Sequence, residues 1–200
     1  MTETESLIAT SYLQLIVLLK TKEMFDNTNE IKTLQDLLDR FIKKDYIISS
    51  IDTDHNREFL NTSVIMGFLH SETHPEHWLP KCNKLLNMLK NRFNDIYPIN
   101  KKSKIDWFGR YTEDVYYNGN PWVICTVAKL TFQYKYKLKG KLYIMDQFNN
   151  IWNHLEKVKD QPEQIDKIDG TSKSARYLTW NYVELLRFIY AFLELYKLIY

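Results

Sequence analysis

The sequence predicts an all-α protein. Apolar residues recur at helical spacing along most of the 200 residues, Gly and Pro number only five each, and no β-branched run is long enough to build a sheet. Helices are expected over 6–25, 30–43, 57–70, 78–97, 121–138, 141–158 and 176–199.

Each segment has its own signal. Residues 6–25 carry the apolar run of SYLQLIVLLK, about one helix long, and the acidic residues before it stand where a secretion signal would carry basic ones. No signal peptide is expected, which points to an intracellular or vacuolar setting. Between Glu30 and Ile42 the apolar side chains fall at i, i+3, i+4 and i+7, a stripe that has to lie on something. Tyr46-Ile47-Ile48 reads as strand-like but is too short and isolated for a sheet. Leu85, Leu86, Leu89 and Phe93 repeat the stripe, as do Val123, Val127, Leu130 and Tyr134. Asn120 is expected to cap this second helix with Pro121 in its first turn, and Gly140 to close it. The C-terminal LLRFIYAFLELYKLIY is the most apolar stretch, yet Arg187, Glu194 and Lys197 interrupt it well short of the ~18 uncharged residues of a membrane span. It reads as a buried helix.

The helical rhythm breaks over 98–120 and 159–175, both longer than the usual ~4–6-residue connection. Long loops on a helical scaffold are where sites are usually built.

Composition limits the function classes. The net charge of +2 is too small and too evenly spread for a nucleic-acid or anionic-membrane partner. Aromatic residues make up 14% of the chain, and their flat apolar faces with polar edges suit stacking on sugars as well as core packing. Cys82 and Cys125 fit no zinc spacing and read as buried, reduced thiols. His70, His74 and His77 cluster, but Pro75 breaks their spacing and nothing completes a ligand set, so no metal is expected. Neither a phosphate-cradling Gly loop nor a nucleophile signature is present, and no cofactor is implied. The loops do carry carboxylates: Glu113 and Asp114 in the first, Glu163, Asp166 and Asp169 in the second. Glycoside hydrolysis by paired carboxylates is therefore chemically available.

The first loop reads GRYTEDVYYNGNPW over 109–122. It resembles a long motif of the fungal glucoamylases, with Thr112 where Pro is usual. Glu163-Gln164-Ile165-Asp166-Lys167, Asp169-Gly170 and then Ser174-Ala175-Arg176-Tyr177-Leu178-Thr179-Trp180-Asn181-Tyr182 resemble a second block of the same family, in the same order. A third similarity runs through Asp54, Arg57 and Asn61 to Gly67 and His70, with Phe59 where the family has Gly and Asn61 where it has Asp.

The resemblance implies a partial (α/α)6 barrel, part of a toroid of two concentric rings of six helices. It implies exo-hydrolysis of α-1,4-linked glucose from the non-reducing ends of starch, glycogen or maltooligosaccharides, with inversion. The first loop would run along the barrel rim and feed an inner helix. Glu163 matches the general base, Trp180 the ring beside it, and Arg57 the Arg that hydrogen-bonds the sugar. The family's Trp-Glu-Glu motif, which carries the general acid, is absent. Aligning Ser11-Tyr12-Leu13-Gln14 with the end of that segment puts Glu5 at the acid position, with Thr4 for the Trp and Ser6 for the second Glu. Residues 1–200 are thus expected to form a single glucoamylase-like domain corresponding to the C-terminal half of the family's catalytic domain. Inner helices without neighbours would then expose apolar surface and favour self-association. The alternative reading is a non-catalytic remnant, a helical carbohydrate-binding or interaction protein that kept Glu163, Trp180 and their scaffold.

Overall fold

The computed structural model of the chain describes residues 24, 26–52, 57–70 and 78–197. Glu5 and nearly all of the helix expected over 6–25 lie outside the described residues, as do His74 and His77. The chain divides into two compact units, Met1–Leu85 and Leu86–Tyr200.

In the first unit, α1 (Thr28–Phe41) presents Ile31 and Phe41 to the core. The chain then turns: Lys43 N–H donates to Tyr46 O at 2.9 Å, and Ile42 bridges Ile47 antiparallel. Ile47 and Ile48 are buried, so the strand-like run serves as a fold-back against the end of α1. Lys81 reinforces that turn by donating to the carbonyl oxygens of Lys43 and Lys44. A two-stranded hairpin follows, β1 (Ser50–Asp52) with β2 (Arg57–Phe59), in the register Ile51↔Glu58.

This hairpin corrects the helix expected over 57–70. Residues 57–59 take ladder hydrogen bonds from β1, and α2 (Ser63–His70) begins only where the Asn61 side chain accepts the Ser63 N–H at 2.8 Å. Val64, Ile65, Phe68 and Leu69 make α2 a core helix.

The long helix α3 (Leu79–Ile96) leads from one unit into the other. In the second unit, the short α4 (Pro98–Lys102) and a 3-10 turn at Tyr116–Asn118 interrupt the first long loop. Then come α5 (Val123–Lys135), α6 (Lys141–Val158), a small hairpin of β3 (Gln164–Ile165) with β4 (Ser172–Lys173), and α7 (Thr179–Lys197). α5 is buried from Val123 through Gln133 and packs against both α6 and α7. Phe188 of α7 stacks on Phe148 of α6 at 4.4 Å between centroids, which closes the three helices on one another.

Three further expectations change. Asn120 does not cap α5: Trp122 holds that position, and Asn120 is used elsewhere. Gly140 does not end α5; it precedes α6 as its N-cap, because Lys137, at φ 54°, takes the left-handed turn instead. The C-terminal helix is buried on one face only, with Leu186, Tyr190 and Leu193 exposed on the other. Cys82 and Cys125 are buried free thiols, as the sequence predicts, and burial pushes both up to about 12. No described helix is long and apolar enough to cross a membrane.

A half-buried polar knot fixes the approach to the first loop. Asp106 accepts from Lys90 of α3 and from the Tyr143 hydroxyl of α6, each at 2.6 Å, while its N–H donates to Gln147 Oε1 at 2.9 Å. Lys129, on α5 and only 2% exposed, donates to Asp106 O at 3.2 Å and lies over the Phe108 ring. Burial raises the Asp106 carboxyl, but Lys129, Lys90 and Tyr143 outweigh it and hold the group below its ordinary value. For Lys129, burial outweighs the attraction of Asp106 and brings the ammonium down to about 8.

The unfolded chain keeps the Lys129 proton up to the ordinary 10.5, so above about 8 it binds more protons than the folded protein, and the Lys129 contribution to stability grows with pH. Tyr143, held above its ordinary 10, contributes the opposite sign only at higher pH. Thermal unfolding followed from pH 8 to pH 10 is expected to show the natural chain gaining stability relative to Lys129→Met, by about 2 kcal/mol over those two pH units. Parallel curves for the two proteins would show that burial does not lower the Lys129 ammonium, which would then stay charged throughout this range.

Candidate active site

The loop at 109–122 is rigid for reasons visible residue by residue. A Cβ at Gly109 would stand 2.1 Å from the Tyr97 hydroxyl, so only Gly lets the chain pass. Arg110 follows and forks onto Asp114, Nε to Oδ2 at 2.8 Å and Nη2 to Oδ1 at 2.7 Å. Its guanidinium lies over the Trp122 ring at 4.4 Å and close to those of Tyr111 and Tyr116. Asp114 is buried and also accepts the Tyr116 N–H at 3.0 Å. Three successive residues, Tyr117, Asn118 and Gly119, then take left-handed φ. The Asn120 side chain braces that turn by donating to Tyr117 O at 2.7 Å, and it accepts the N–H of Lys167 at 3.1 Å.

That last bond reaches the second loop, and the two loops are sewn together along their length. Ile165 N–H donates to Pro121 O at 3.0 Å, Val123 N–H donates to Glu163 O at 3.2 Å, and Trp122 bridges Gln164 antiparallel. Val123 is the first residue of α5, so the Glu163 carbonyl takes one of the N–H groups a helix start leaves unpaired. Lys167 Nζ donates to Asn118 O at 2.6 Å, and the Tyr116 hydroxyl lies 3.5 Å from Ser174 Oγ.

Glu163 is held at both backbone ends, its own N–H donating to Ala175 O at 2.7 Å. Its half-buried side chain receives a short hydrogen bond at Oε2 from the Ser174 hydroxyl. Just before it, buried Asn181 of α7 donates to Pro162 O at 2.6 Å. Trp180, one residue earlier on the first turn of α7, is 53% exposed. Asn181 therefore ties the helix start that displays Trp180 to the residue preceding Glu163. Gln164 is wholly buried, and its amide has no hydrogen-bond partner among the described residues.

All the other carboxylates of the two loops except Glu113 are committed to structure. Asp114 holds Arg110, and exposed Glu113 has a long 3.7 Å pairing with Arg92. Asp160 is buried and accepts from Ser172 Oγ at 2.6 Å and pairs with Arg176 at 3.2 Å. Asp166 accepts the N–H groups of Ile168 and Asp169, and Asp169 accepts both the N–H and hydroxyl of Thr171, which holds its carboxyl below the ordinary range. Among the described residues Glu163 carries only the Ser174 hydroxyl, leaving acceptor capacity for a reacting group.

Backbone strain marks the same place. Lys159, Gln161, Ser174 and Tyr177 all have positive φ, a region non-Gly residues seldom occupy. Each costs on the order of 1 kcal/mol, and such residues gather where a site needs one particular geometry.

Arg57 stands in β2 opposite Asp52, in the first unit. His70 ends α2, and among the described residues no three His, Cys, Asp or Glu side chains gather to hold a metal. Two residues escaped the sequence reading. Ser174 and Asn181 stand inside the second motif, but nothing in their spacing marks them as supports of Glu163; only the fold-back of the loop does.

Gly119→Ala is expected to destabilise the chain by more than about 2 kcal/mol in urea unfolding, since its φ of 65° disfavours a side chain and a Cβ would meet Asp114 O at 2.1 Å. A loss within a few tenths of a kcal/mol would contradict the tight turn.

Several known proteins are similar to this chain in sequence and in fold. The probable glucoamylase of Schizosaccharomyces pombe is 31% identical over 175 residues, covering 68% of this chain and 38% of that protein. Glucoamylase P of Amorphotheca resinae is 32% identical over 110 residues, or 48% of this chain and 18% of that one. The solved glucoamylase of Hormoconis resinae superposes with a TM-score of 0.71 at 21% identity, covering 92% of this chain and 42% of that structure. That of Hypocrea jecorina gives 0.69 at 20%, covering 92% and 41%. The fold is accordingly all-α, a partial (α/α)6 barrel, and the chain spans well under half the length of these relatives. The sewn loops and their acidic and aromatic residues lie within residues 25–190, which match the sequence model of Glycosyl hydrolases family 15, and the chain belongs to that family.

Proposed function

We propose that this chain takes part in hydrolysing α-1,4-glucans, releasing glucose from non-reducing ends with inversion, and that Glu163 is the general base. The observation that carries the reading is the sorting of the loop carboxylates. Its neighbours in the second loop are bound up in turns and ion pairs and Glu113 of the first is exposed, whereas Glu163 is half-buried, braced by Ser174 and open to accept one more proton.

In this mechanism Glu163 removes a proton from a water molecule while the water oxygen attacks the anomeric carbon from the face opposite the glycosidic bond. A carboxylic acid on the other side protonates the departing oxygen, and β-glucose leaves. Inversion requires the two carboxyl groups about 6.5–9.5 Å apart, so that the water fits between base and sugar. Glu5 is the proposed acid. Trp180 offers an exposed ring face for a glucosyl unit. Arg57, on the hairpin of the first unit, is the proposed hydroxyl ligand. The similarity to fungal glucoamylases supports the substrate class.

A second reading has its own observation. The Trp180 ring, 53% exposed, can stack on a sugar with no acid placed opposite it, which favours a glucan-binding protein without turnover.

Purified chain incubated with maltooligosaccharides is expected to release glucose initially as the β-anomer, read by NMR. Glu163→Gln should lower kcat by about 10²–10⁴-fold with folding intact by circular dichroism. Release that survives the substitution rules Glu163 out as base; no release from the natural chain favours the binding reading. Trp180→Ala is expected to weaken glucan affinity about tenfold under either reading, measured by calorimetry, and unchanged affinity would remove Trp180 from the site.

A further inference from the structure

The turn that joins α5 to α6 concentrates one sign of charge. Lys135, Lys137, Lys139 and Lys141 stand at alternate positions, and the chain carries no carboxylate anywhere between Asp114 and Asp146. Lys137, Lys139 and Lys141 are exposed. Among the described residues Lys135, Lys137 and Lys139 pair with no carboxylate; Lys135 lies over the Tyr136 ring at 5.8 Å and Lys139 over the Tyr143 ring at 6.0 Å. The net charge of +2 conceals this patch because acidic residues elsewhere balance it, which is why the sum alone argued against an anionic-membrane partner.

Local structure accounts for only some of these cations. Lys135 ends α5, where the partial negative charge of a helix C-terminus favours it. Lys137 takes the left-handed position that closes the helix, where Gly is the usual residue. Lys139 and Lys141 stand at the opposite kind of helix end. The N-cap of α6 is Gly140, which offers no side chain, and its first turn holds no acid, so these ammonium groups crowd the positive end of a helix dipole.

Leu142 distinguishes the patch from a solvated turn. It directly follows Lys141 and is 88% exposed. Phosphates along a soluble polyanion would pair with the lysines and gain nothing from Leu142. An anionic bilayer uses both, since its headgroups attract the ammonium groups while an apolar side chain enters the boundary with the acyl chains. Further helices of a toroid do not explain the exposure: packing over this turn would strip water from ammonium groups that have no carboxylate to meet them.

We infer that the turn over 135–142 is a docking site for an anionic lipid surface, with Lys135, Lys137, Lys139 and Lys141 attracting the headgroups and Leu142 entering the boundary layer. One apolar side chain anchors weakly, so the attraction is mainly electrostatic, reversible and sensitive to salt. The inference is independent of the proposed hydrolysis.

Co-sedimentation of the full chain with lipid vesicles tests it. The chain is expected to bind vesicles of phosphatidylcholine mixed with phosphatidylserine, to ignore vesicles of phosphatidylcholine alone, and to release as salt rises. Lys139→Gln, Lys141→Gln and Leu142→Ser should each weaken binding about fivefold, with circular dichroism confirming the fold of every variant. Failure to bind the mixed vesicles overturns the proposal. So does binding that Leu142→Ser leaves unchanged. A chain that binds inorganic polyphosphate but not the mixed vesicles takes a soluble polyanion at this turn, and the lipid assignment is then wrong.

Discussion

The short run of backbone hydrogen bonds between 120–123 and 163–165 is the constraint on which the rest of the second unit depends. It joins two loops separated by two helices, and it does so at the start of α5, where helix geometry leaves N–H groups in need of acceptors. Because the Glu163 carbonyl answers one of them, the helix start and the candidate base are positioned by the same bond. Asn120 and Lys167 extend the seam on one side, and Tyr116 and Ser174 on the other. Movement of one loop would leave polar backbone groups of the other buried and unpaired, which costs more than an ordinary hydrogen bond contributes.

Around that seam the protein spends polar groups freely in its interior. Arg110 between Asp114 and three aromatic rings stiffens the first loop, and the Asp106 knot with Lys90, Lys129 and Tyr143 anchors the segment that leads into it. Ion pairs with one side drawn inward, such as these, add little net stability compared with apolar packing, but removing the cation leaves the inner carboxylate stranded. They act as locators: each permits one arrangement of the strands of chain that meet there. The left-handed residues of 159–177 fit the same economy, since packing elsewhere must hold them in a conformation they would not adopt alone.

The carboxylates show why a loop that looks uniformly acidic in sequence is chemically uneven. Asp166 and Asp169 are close enough to neighbouring N–H groups to close their own turns, whereas Asp160 is drawn inward to Ser172. Glu163, with a longer side chain on an extended stretch held at both backbone ends, meets a single hydroxyl among the described residues. The difference lies in local geometry, and residue type alone does not reveal it.

Helix positions were largely legible because apolar periodicity is a local property; α6 over 141–158 coincides with its expectation, and α3 is displaced by a single residue at each end. The two long motifs are local in the same sense: Glu163 stands in the second long loop and Trp180 on the first turn of α7. What failed were assignments that depend on a distant partner. Arg57-Glu58-Phe59 has no local preference strong enough to resist pairing with Ser50-Ile51-Asp52, and Asn120 left the cap it could have filled because Lys167 offered it an N–H across the seam. The amphipathic C-terminal helix likewise announced an apolar character without saying which face is covered. Sequence by itself determined the helical class, the family and the chemistry on offer; tertiary structure decided which polar groups were consumed, because a hydrogen bond between residues forty positions apart exists only once the chain has brought them together.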